Sequence, residues 1–107
     1  MSGFYSQEQA RALLPDVRNY LDITWEDAAL DGKLAGVAAR GMIYLDAVAG
    51  GPQDYQAETL ARQLLLDWCR YGMAGAISDF ARNYQAEILM LRSQQEVAAY
   101  APDDAGV

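Results

Sequence analysis

The stretch that decides the fold is Leu60-Ala-Arg-Gln-Leu-Leu-Leu-Asp-Trp-Cys-Arg-Tyr-Gly-Met-Ala-Gly-Ala-Ile-Ser-Asp-Phe-Ala-Arg-Asn-Tyr-Gln-Ala-Glu-Ile-Leu-Met-Leu91. Its first half carries an apolar stripe at helical spacing, made of Leu60, Leu64, Trp68 and Tyr71. Ala61, Leu65 and Cys69 widen that stripe into a broad apolar arc. Such an arc predicts a helix covered on more than one side, with Trp68 as its main core anchor and Leu64 and Tyr71 beside it.

The second half of the stretch begins with a predicted break. Gly72 and Gly75, followed by the cap-like pair Ser78-Asp79, indicate a kink, and we interpret the two glycines as a hinge. A last helix is predicted from about Asp79 to Ala98, over residues 79–98. Its apolar stripe consists of Phe80, Tyr84, Ile88 and Leu91. We interpret this segment as a docking helix that can extend from the core.

Upstream, the sequence predicts a short helix over Pro15–Asp22 and a long one capped by Thr24. Leu34 is the core anchor predicted for the long helix, which ends at Gly50-Gly51-Pro52. Gly36 and Gly41 within it mark either a close approach of a neighbouring helix or an exposed turn. A loop is predicted over 50–56, and the next helix starts near Ala57.

The predicted fold class is therefore all-α, a small bundle of about four helices. A chain of 107 residues supports one domain, here residues 1–101, and residues 102–107 are predicted to form a flexible tail. No segment is apolar enough to cross a membrane, and the N-terminus lacks the features of a signal peptide. We expect synthesis in the cytosol.

Charge and composition disfavour several classes of function. The net charge of −7 opposes binding to nucleic acid phosphates and to anionic membrane surfaces. The chain has one cysteine and no histidine, which excludes an internal disulfide, the usual zinc sites and the commonest general base. We expect Cys69 to be a packed thiol, and no cofactor or metal site is predicted.

Two sets of residues allow more than one interpretation. Asp27 and Asp31 lie one helical turn apart, so they are either a solvated acidic face or a carboxylate pair that holds a divalent ion in an enzyme. The chain has 7 tyrosines, which are enriched at protein interfaces as well as in cores. Tyr20, Tyr44 and Tyr71 are predicted core residues, whereas Tyr84 and Tyr100 are either interface residues or ordinary packing.

The order of these pieces resembles a known family. The motifs are Val17-Arg-Asn-Tyr-Leu-Asp-Ile-Thr-Trp25, the long helix around Leu34-Ala-Gly-Val-Ala-Ala-Arg-Gly-Met-Ile-Tyr-Leu45, the core Leu64-Leu-Leu-Asp-Trp-Cys-Arg-Tyr71, and the ending Phe80-x-x-x-Tyr84-x-x-x-Ile88. Over about residues 13–92 the chain resembles the head–tail connector (adaptor) proteins of tailed bacteriophages, of the HK97-like and SPP1-like siphophage type. These motifs are patterns of helices and apolar residues rather than catalytic signatures.

The resemblance implies an all-helical subunit without enzymatic activity. Such subunits assemble in the bacterial host cytoplasm as a homo-oligomeric ring, usually dodecameric, on the portal protein of a DNA-filled head. The ring extends the DNA channel, through which the genome passes without specific binding, and it presents a surface to the next head-completion (stopper) or tail-joining protein. The virion is then the expected location, and no membrane is involved. Matching positions imply a portal and subunit interface made of Phe80, Tyr84, Ile88, Leu91 and Arg92. Tyr100 is the further interface candidate.

A second interpretation rests on the residues alone. The acidic charge and the helical pattern also fit a free-standing protein-interaction or regulatory module, for example a small acidic partner of a basic protein. A metal-dependent enzyme built on Asp27 and Asp31 is the third alternative.

Overall fold

The computed structural model describes the backbone of residues 8–105 and the side chains of residues 8–98. Residues 8–12 are helical and lead into five further helices: α1 (Leu14–Tyr20), α2 (Ala28–Ala49), α3 (Leu60–Met73), α4 (Ile77–Asn83) and α5 (Gln85–Ala105). Across residues 8–105 no β-strand is present. The all-α prediction and the small helical bundle are confirmed.

The link between α1 and α2 differs from the prediction. Helix α1 has Pro15 in its first turn and ends in a turn where the Ile23 N–H donates to the Arg18 carbonyl oxygen over 2.8 Å. Asp22 occupies the left-handed region at φ 61°, a conformation that Asp tolerates better than most residues. Asp27, not Thr24, then caps α2, because its carboxylate accepts from the backbone N–H of Ala29 and Leu30 over 3.0 and 3.2 Å.

The loop after α2 is longer than predicted. Gly50 ends α2 in the left-handed conformation, at φ 90°, as its sequence position suggests. Helix α3 begins at Leu60 rather than near Ala57, because Thr59 is its N-cap and accepts from the Arg62 N–H over 3.1 Å. The Thr59 hydroxyl in turn donates to the carbonyl oxygen of Asp54, which closes the loop upon itself.

The centre of the core is the crossing of α2 and α3. Leu34, Leu64 and Trp68 are buried there, as predicted, while Tyr71 lies half-buried at its edge. A Cβ atom at Gly41 would stand 2.5 Å from Cδ1 of Trp68, so only glycine lets the indole approach this closely. The Trp68 Nε1–H donates to the carbonyl oxygen of Val37 over 2.9 Å. Gly41 is thus a close-approach glycine, whereas Gly36 has ordinary surroundings.

The break after α3 lies where the glycines predicted it. Gly75 adopts φ 72°, and the Ala76 N–H donates to the Tyr71 carbonyl oxygen over 2.8 Å, which closes the end of α3. Gly72 has a packing role that the hinge interpretation did not include. A Cβ there would lie 2.5 Å from Cγ1 of Val37, so this glycine brings α3 against α2.

The last helix is not continuous, contrary to the prediction over 79–98. Tyr84 separates α4 from α5 with φ −116° and ψ 25°. Backbone hydrogen bonds continue on either side, from Tyr84 to Phe80 and from Ile88 to Tyr84, so the chain bends there without a loop. Helix α5 then runs to Ala105, which places residues 102–105 in helical backbone rather than in a tail.

The two glycines of α2 give a matched test of the crossing. We predict that Gly41→Ala lowers the free energy of unfolding by about 1–3 kcal/mol, because the new methyl group collides with Trp68 and Leu65. Gly36→Ala is expected to raise it by up to about 1 kcal/mol, since alanine favours helix and the nearest atom, 3.4 Å away, is the mobile guanidinium of Arg40. Urea denaturation of both variants measures the difference, and equal effects would contradict this packing.

Candidate protein-interaction surface

Helix α5 has two apolar faces. Its inner face packs on α2 and α3 through Leu91, which is buried, and Ile88, which is partly buried. On the outer face Leu89, Met90 and Val97 are 59%, 54% and 66% exposed. Ala86 and Ser93 are exposed on the same side. We call these five residues, Ala86, Leu89, Met90, Ser93 and Val97, the outer stripe.

Three of the five outer-stripe residues form one surface. Met90, Ser93 and Val97 line a shallow groove together with Gln94 and Ala98. Single exposed apolar residues are common on proteins, but a contiguous apolar patch marks an interaction site more often. A helix that is apolar on two opposite faces is typical of an element covered on both. The outer stripe is therefore the candidate functional site.

Polar contacts fix the orientation of α5. The Gln53 side chain donates to Gln95 Oε1 over 2.8 Å, and Arg92 Nε donates to the Val48 carbonyl oxygen over 3.2 Å. Gly51 lies so close that a Cβ there would be 2.5 Å from the Gln95 amide nitrogen. The end of α2 and the following loop thus hold the inner face of α5, and the outer stripe points to solvent.

A partly buried carboxylate, that of Asp46, supports that loop. The Tyr55 hydroxyl is buried and donates to Asp46 Oδ1 over 2.7 Å, with the Met42 carbonyl oxygen 3.2 Å away. The backbone N–H of Gln53 donates to the same carboxylate oxygen over 3.1 Å. Burial raises the pKa of Asp46, and its two hydrogen bonds oppose that rise.

Phe80 ties α4 to the bundle. Its ring stacks on Tyr84 at a centroid distance of 4.6 Å and meets Trp68 and Tyr71 edge-on at 5.3 and 5.6 Å. Tyr44 of α2 stacks on Trp68 at 4.9 Å and completes the cluster. Aromatic pairs of this geometry stabilise beyond the area they bury. The segment after the Gly75 turn is therefore part of the core.

The predicted interface residues differ in their exposure to solvent. Phe80 and Leu91 are buried within the subunit, so their assignment to a surface is corrected: Phe80 packs against Trp68 and Tyr71, and Leu91 belongs to the same core. Tyr84 and Ile88 are partly buried, and Arg92 is exposed. The side chain of Tyr100 lies outside the described residues. Sequence reasoning missed Leu89, Met90 and Val97, although the spacing of Ala86, Met90, Ser93 and Val97 formed a second stripe.

A polar cluster joins α1 to α3. The Tyr20 hydroxyl donates to Asp67, Gln63 lies within hydrogen-bonding distance of both, and the Arg70 guanidinium stacks 4.6 Å from the centroid of the Tyr20 ring. The hydrogen bond to Asp67 raises the pKa of Tyr20, and burial raises that of Tyr84. Both phenols are protonated at neutral pH, so they serve as hydrogen-bond donors rather than as bases.

The remaining chemical candidates have structural partners. Asp27 caps α2, and Asp31 pairs with Arg18 at 3.7 Å. Cys69 is buried, and burial raises the pKa of its thiol to about 12, which keeps it unreactive. Within the part of the chain that the structure describes, no three His, Cys, Asp or Glu side chains form a metal-binding group. None of the helices in that part is both long and apolar enough to cross a membrane.

Comparison with known proteins adds no family assignment. No protein-family model, no curated protein and no solved structure matches the chain.

Asp46 gives a test of the loop anchor. The pKa of Asp46 is higher in the native state than in the unfolded chain, so between these two values the native state holds a proton that the unfolded chain has released. This group therefore makes stability fall as pH rises from the ordinary carboxyl pKa through the native value. We predict that Asp46→Asn keeps both hydrogen bonds and removes this pH dependence, with stability at pH 7 unchanged or higher. Asp46→Ala is expected to cost about 1–3 kcal/mol. Unfolding curves across pH 4–7 measure this, and a constant difference between wild type and Asp46→Asn would contradict it.

Phe80 and Leu89 test which part of the last segment is core. We predict that Phe80→Ala lowers the free energy of unfolding by about 3–5 kcal/mol, because it empties the centre of the aromatic cluster. Leu89→Ala, at a side chain that is 59% exposed, is expected to change it by less than about 0.5 kcal/mol. Thermal unfolding followed by circular dichroism compares them. Similar small effects would mean that α4 does not pack on α3.

Proposed function

We propose that the protein is a head–tail connector (adaptor) subunit of a tailed bacteriophage. In this role several copies, twelve in the usual arrangement, form a ring on the portal protein in the virion. The ring extends the DNA channel and receives the next head-completion or tail-joining protein. The proposal rests on the resemblance of residues 13–92 and on the surface chemistry of the described subunit.

The outer stripe is the observation that carries the proposal. Leu89, Met90 and Val97 are more than half exposed on a helix whose other face is already anchored to the core. Covering them removes apolar surface from water at about 25 cal/mol per Å², which favours association with another protein. A subunit that functions inside an assembly needs such a surface, whereas a monomeric protein gains nothing from it.

Charge supports the channel part of the proposal. Fifteen acidic residues stand against eight basic ones. Of the described basic side chains, Arg18, Arg62 and Arg82 are paired with carboxylates, and Arg70 lies over the Tyr20 ring. A surface that is acidic on balance repels phosphates, so a DNA duplex would pass it without sticking. Arg92 is exposed, but its Nε donates to the Val48 carbonyl oxygen on the inner side of α5.

The connector role needs no catalysis. Asp27 caps α2 and Asp31 pairs with Arg18, while the Cys69 thiol is buried and has a raised pKa. What the described residues offer is a packed subunit with one unpaired apolar helix face. That combination favours a structural role over an enzymatic one.

Binding to a portal ring tests the proposal. We predict that the purified chain co-sediments with the portal protein encoded in the same genome, because burial of the outer stripe drives association. Met90→Glu and Val97→Glu are expected to weaken this binding by at least about tenfold, since each buries a carboxylate in an apolar contact. Ile43→Glu is the matched control, because Ile43 is 42% exposed on α2 rather than on α5.

Two results would overturn the proposal. The first is a wild-type chain that never co-sediments with portal under assembly conditions. The second is a genome in which the gene does not lie among head genes, together with capture of one basic cytosolic partner. That second result would favour the acidic regulatory module, which the net charge of −7 also fits.

A further inference from the structure

We propose that the outer stripe binds a second copy of this chain, so that two α5 helices pair in antiparallel orientation about a two-fold axis. The pairing is a property of the free protein in solution. It can be measured without any portal protein, but it uses the surface that the connector proposal assigns to the portal, so self-pairing and portal binding compete for the outer stripe.

The spacing of the stripe fits a helix partner. Ala86, Met90, Ser93 and Val97 follow one another at steps of four, three and four residues. This is the spacing of the apolar seam of a coiled coil, in which positions a and d of a heptad face a second helix of the same pitch. Ile88 and Gln95 occupy the opposite side and contact the core, so a second helix can approach from solvent.

The sizes of the side chains select the antiparallel orientation. When the stripe is paired with its own reverse, Ala86 faces Val97 of the second copy and Met90 faces Ser93 of the second copy. Every layer then combines one large and one small side chain, and the four layers have similar widths. A parallel pair would set Met90 against Met90 and Ala86 against Ala86, so wide and narrow layers would alternate. Interiors favour the even filling of space that the antiparallel pair provides.

Charges along the edges favour the same arrangement. Antiparallel helices place one flank against the same flank of the partner helix. Glu87 then faces the uncharged Gln94 of the second copy, and Glu96 faces Leu89 of the second copy, so no two carboxylates are opposed. The helix dipoles are also antiparallel, which is the favourable orientation. A chain with a net charge of −7 can therefore pair with itself at this surface without juxtaposing its acidic residues.

The interface is small, which sets its strength. Residues 86–97 span about 17 Å of helix. The area that two such segments bury lies below the roughly 1,200 Å² of stable interfaces. We therefore expect a dissociation constant in the micromolar to millimolar range and a mass that saturates at two copies, because a two-fold contact is closed.

Sedimentation equilibrium of the full chain tests the pairing. The wild type is expected to shift from monomer to dimer as its concentration rises to about 1 mM. Met90→Glu and Val97→Glu should weaken the dimer at least about tenfold, whereas Ile43→Glu should leave it unchanged. Circular dichroism confirms that each variant remains folded. A wild type that stays monomeric throughout, or a dimer that survives both glutamates, would overturn the proposal.

Cysteine cross-linking tests the orientation, because the native Cys69 is buried and does not compete. A mixture of Ala86→Cys and Val97→Cys chains should form the mixed disulfide on mild oxidation. Ala86→Cys alone should not cross-link, since its two copies would lie about 17 Å apart along the helices, beyond disulfide reach. Dimers of Ala86→Cys alone would show parallel pairing and refute the antiparallel arrangement. A wild-type chain that binds portal but never dimerises would refute only this inference, and a wild-type chain that dimerises but never binds portal would refute only the connector proposal.

Discussion

The structure depends on the approach of the Trp68 indole to the backbone of α2 at Gly41. The missing side chain of that glycine leaves the space into which the ring fits. The indole N–H reaches the Val37 carbonyl oxygen, so the largest side chain of the core is buried without leaving its polar atom unpaired. Gly72, one turn after Trp68 on α3, likewise allows a close contact, because its missing side chain leaves space for Val37. Two glycines, one on each helix, thus fix how closely α2 and α3 pack.

The aromatic cluster carries this crossing into the end of the chain. Tyr44 stacks on one part of Trp68 and Phe80 meets another, so α4 is attached to the same residue that joins α2 to α3. The bend at Tyr84 then lets α5 turn back along α2, where Leu91 is buried and Gln95 meets Gln53. The segment first interpreted as a docking helix is therefore core on one face. Only its outer stripe remains available for a partner, which places any docking function on Leu89, Met90 and Val97.

Polar groups decide position rather than supply most of the stability. Asp46 is the clearest case, because its carboxylate accepts hydrogen bonds from the Tyr55 hydroxyl and from the Gln53 backbone N–H. Burial of this carboxylate raises its pKa. That arrangement fixes the loop after α2, and the loop in turn holds α5. Tyr20 and Asp67 act similarly between α1 and α3. Among the described residues no buried side-chain nitrogen or oxygen lacks a hydrogen-bond partner, as expected for a core in which each polar atom has a structural role.

The sequence by itself determined the helical class, the ends of α2 and α3 at glycines, and the burial of Leu34, Leu64 and Trp68, because these follow from local periodicity and from backbone conformations that only glycine adopts readily. It did not determine the N-cap of α2, because Thr24 and Asp27 are both suitable capping residues and the structure uses Asp27. Nor did it separate the two apolar stripes of α5, since both repeat at helical spacing and only packing against α2 and α3 decides which one is inside. The burial of Tyr55 was not predicted because this residue lies in a loop without periodicity, where its hydroxyl donates to the nearby Asp46 carboxylate. Local hydrogen bonds decided the cap of α2, whereas the tertiary structure decided which stripe of α5 is buried, because that choice depends on contacts with α2 and α3, which are distant in sequence.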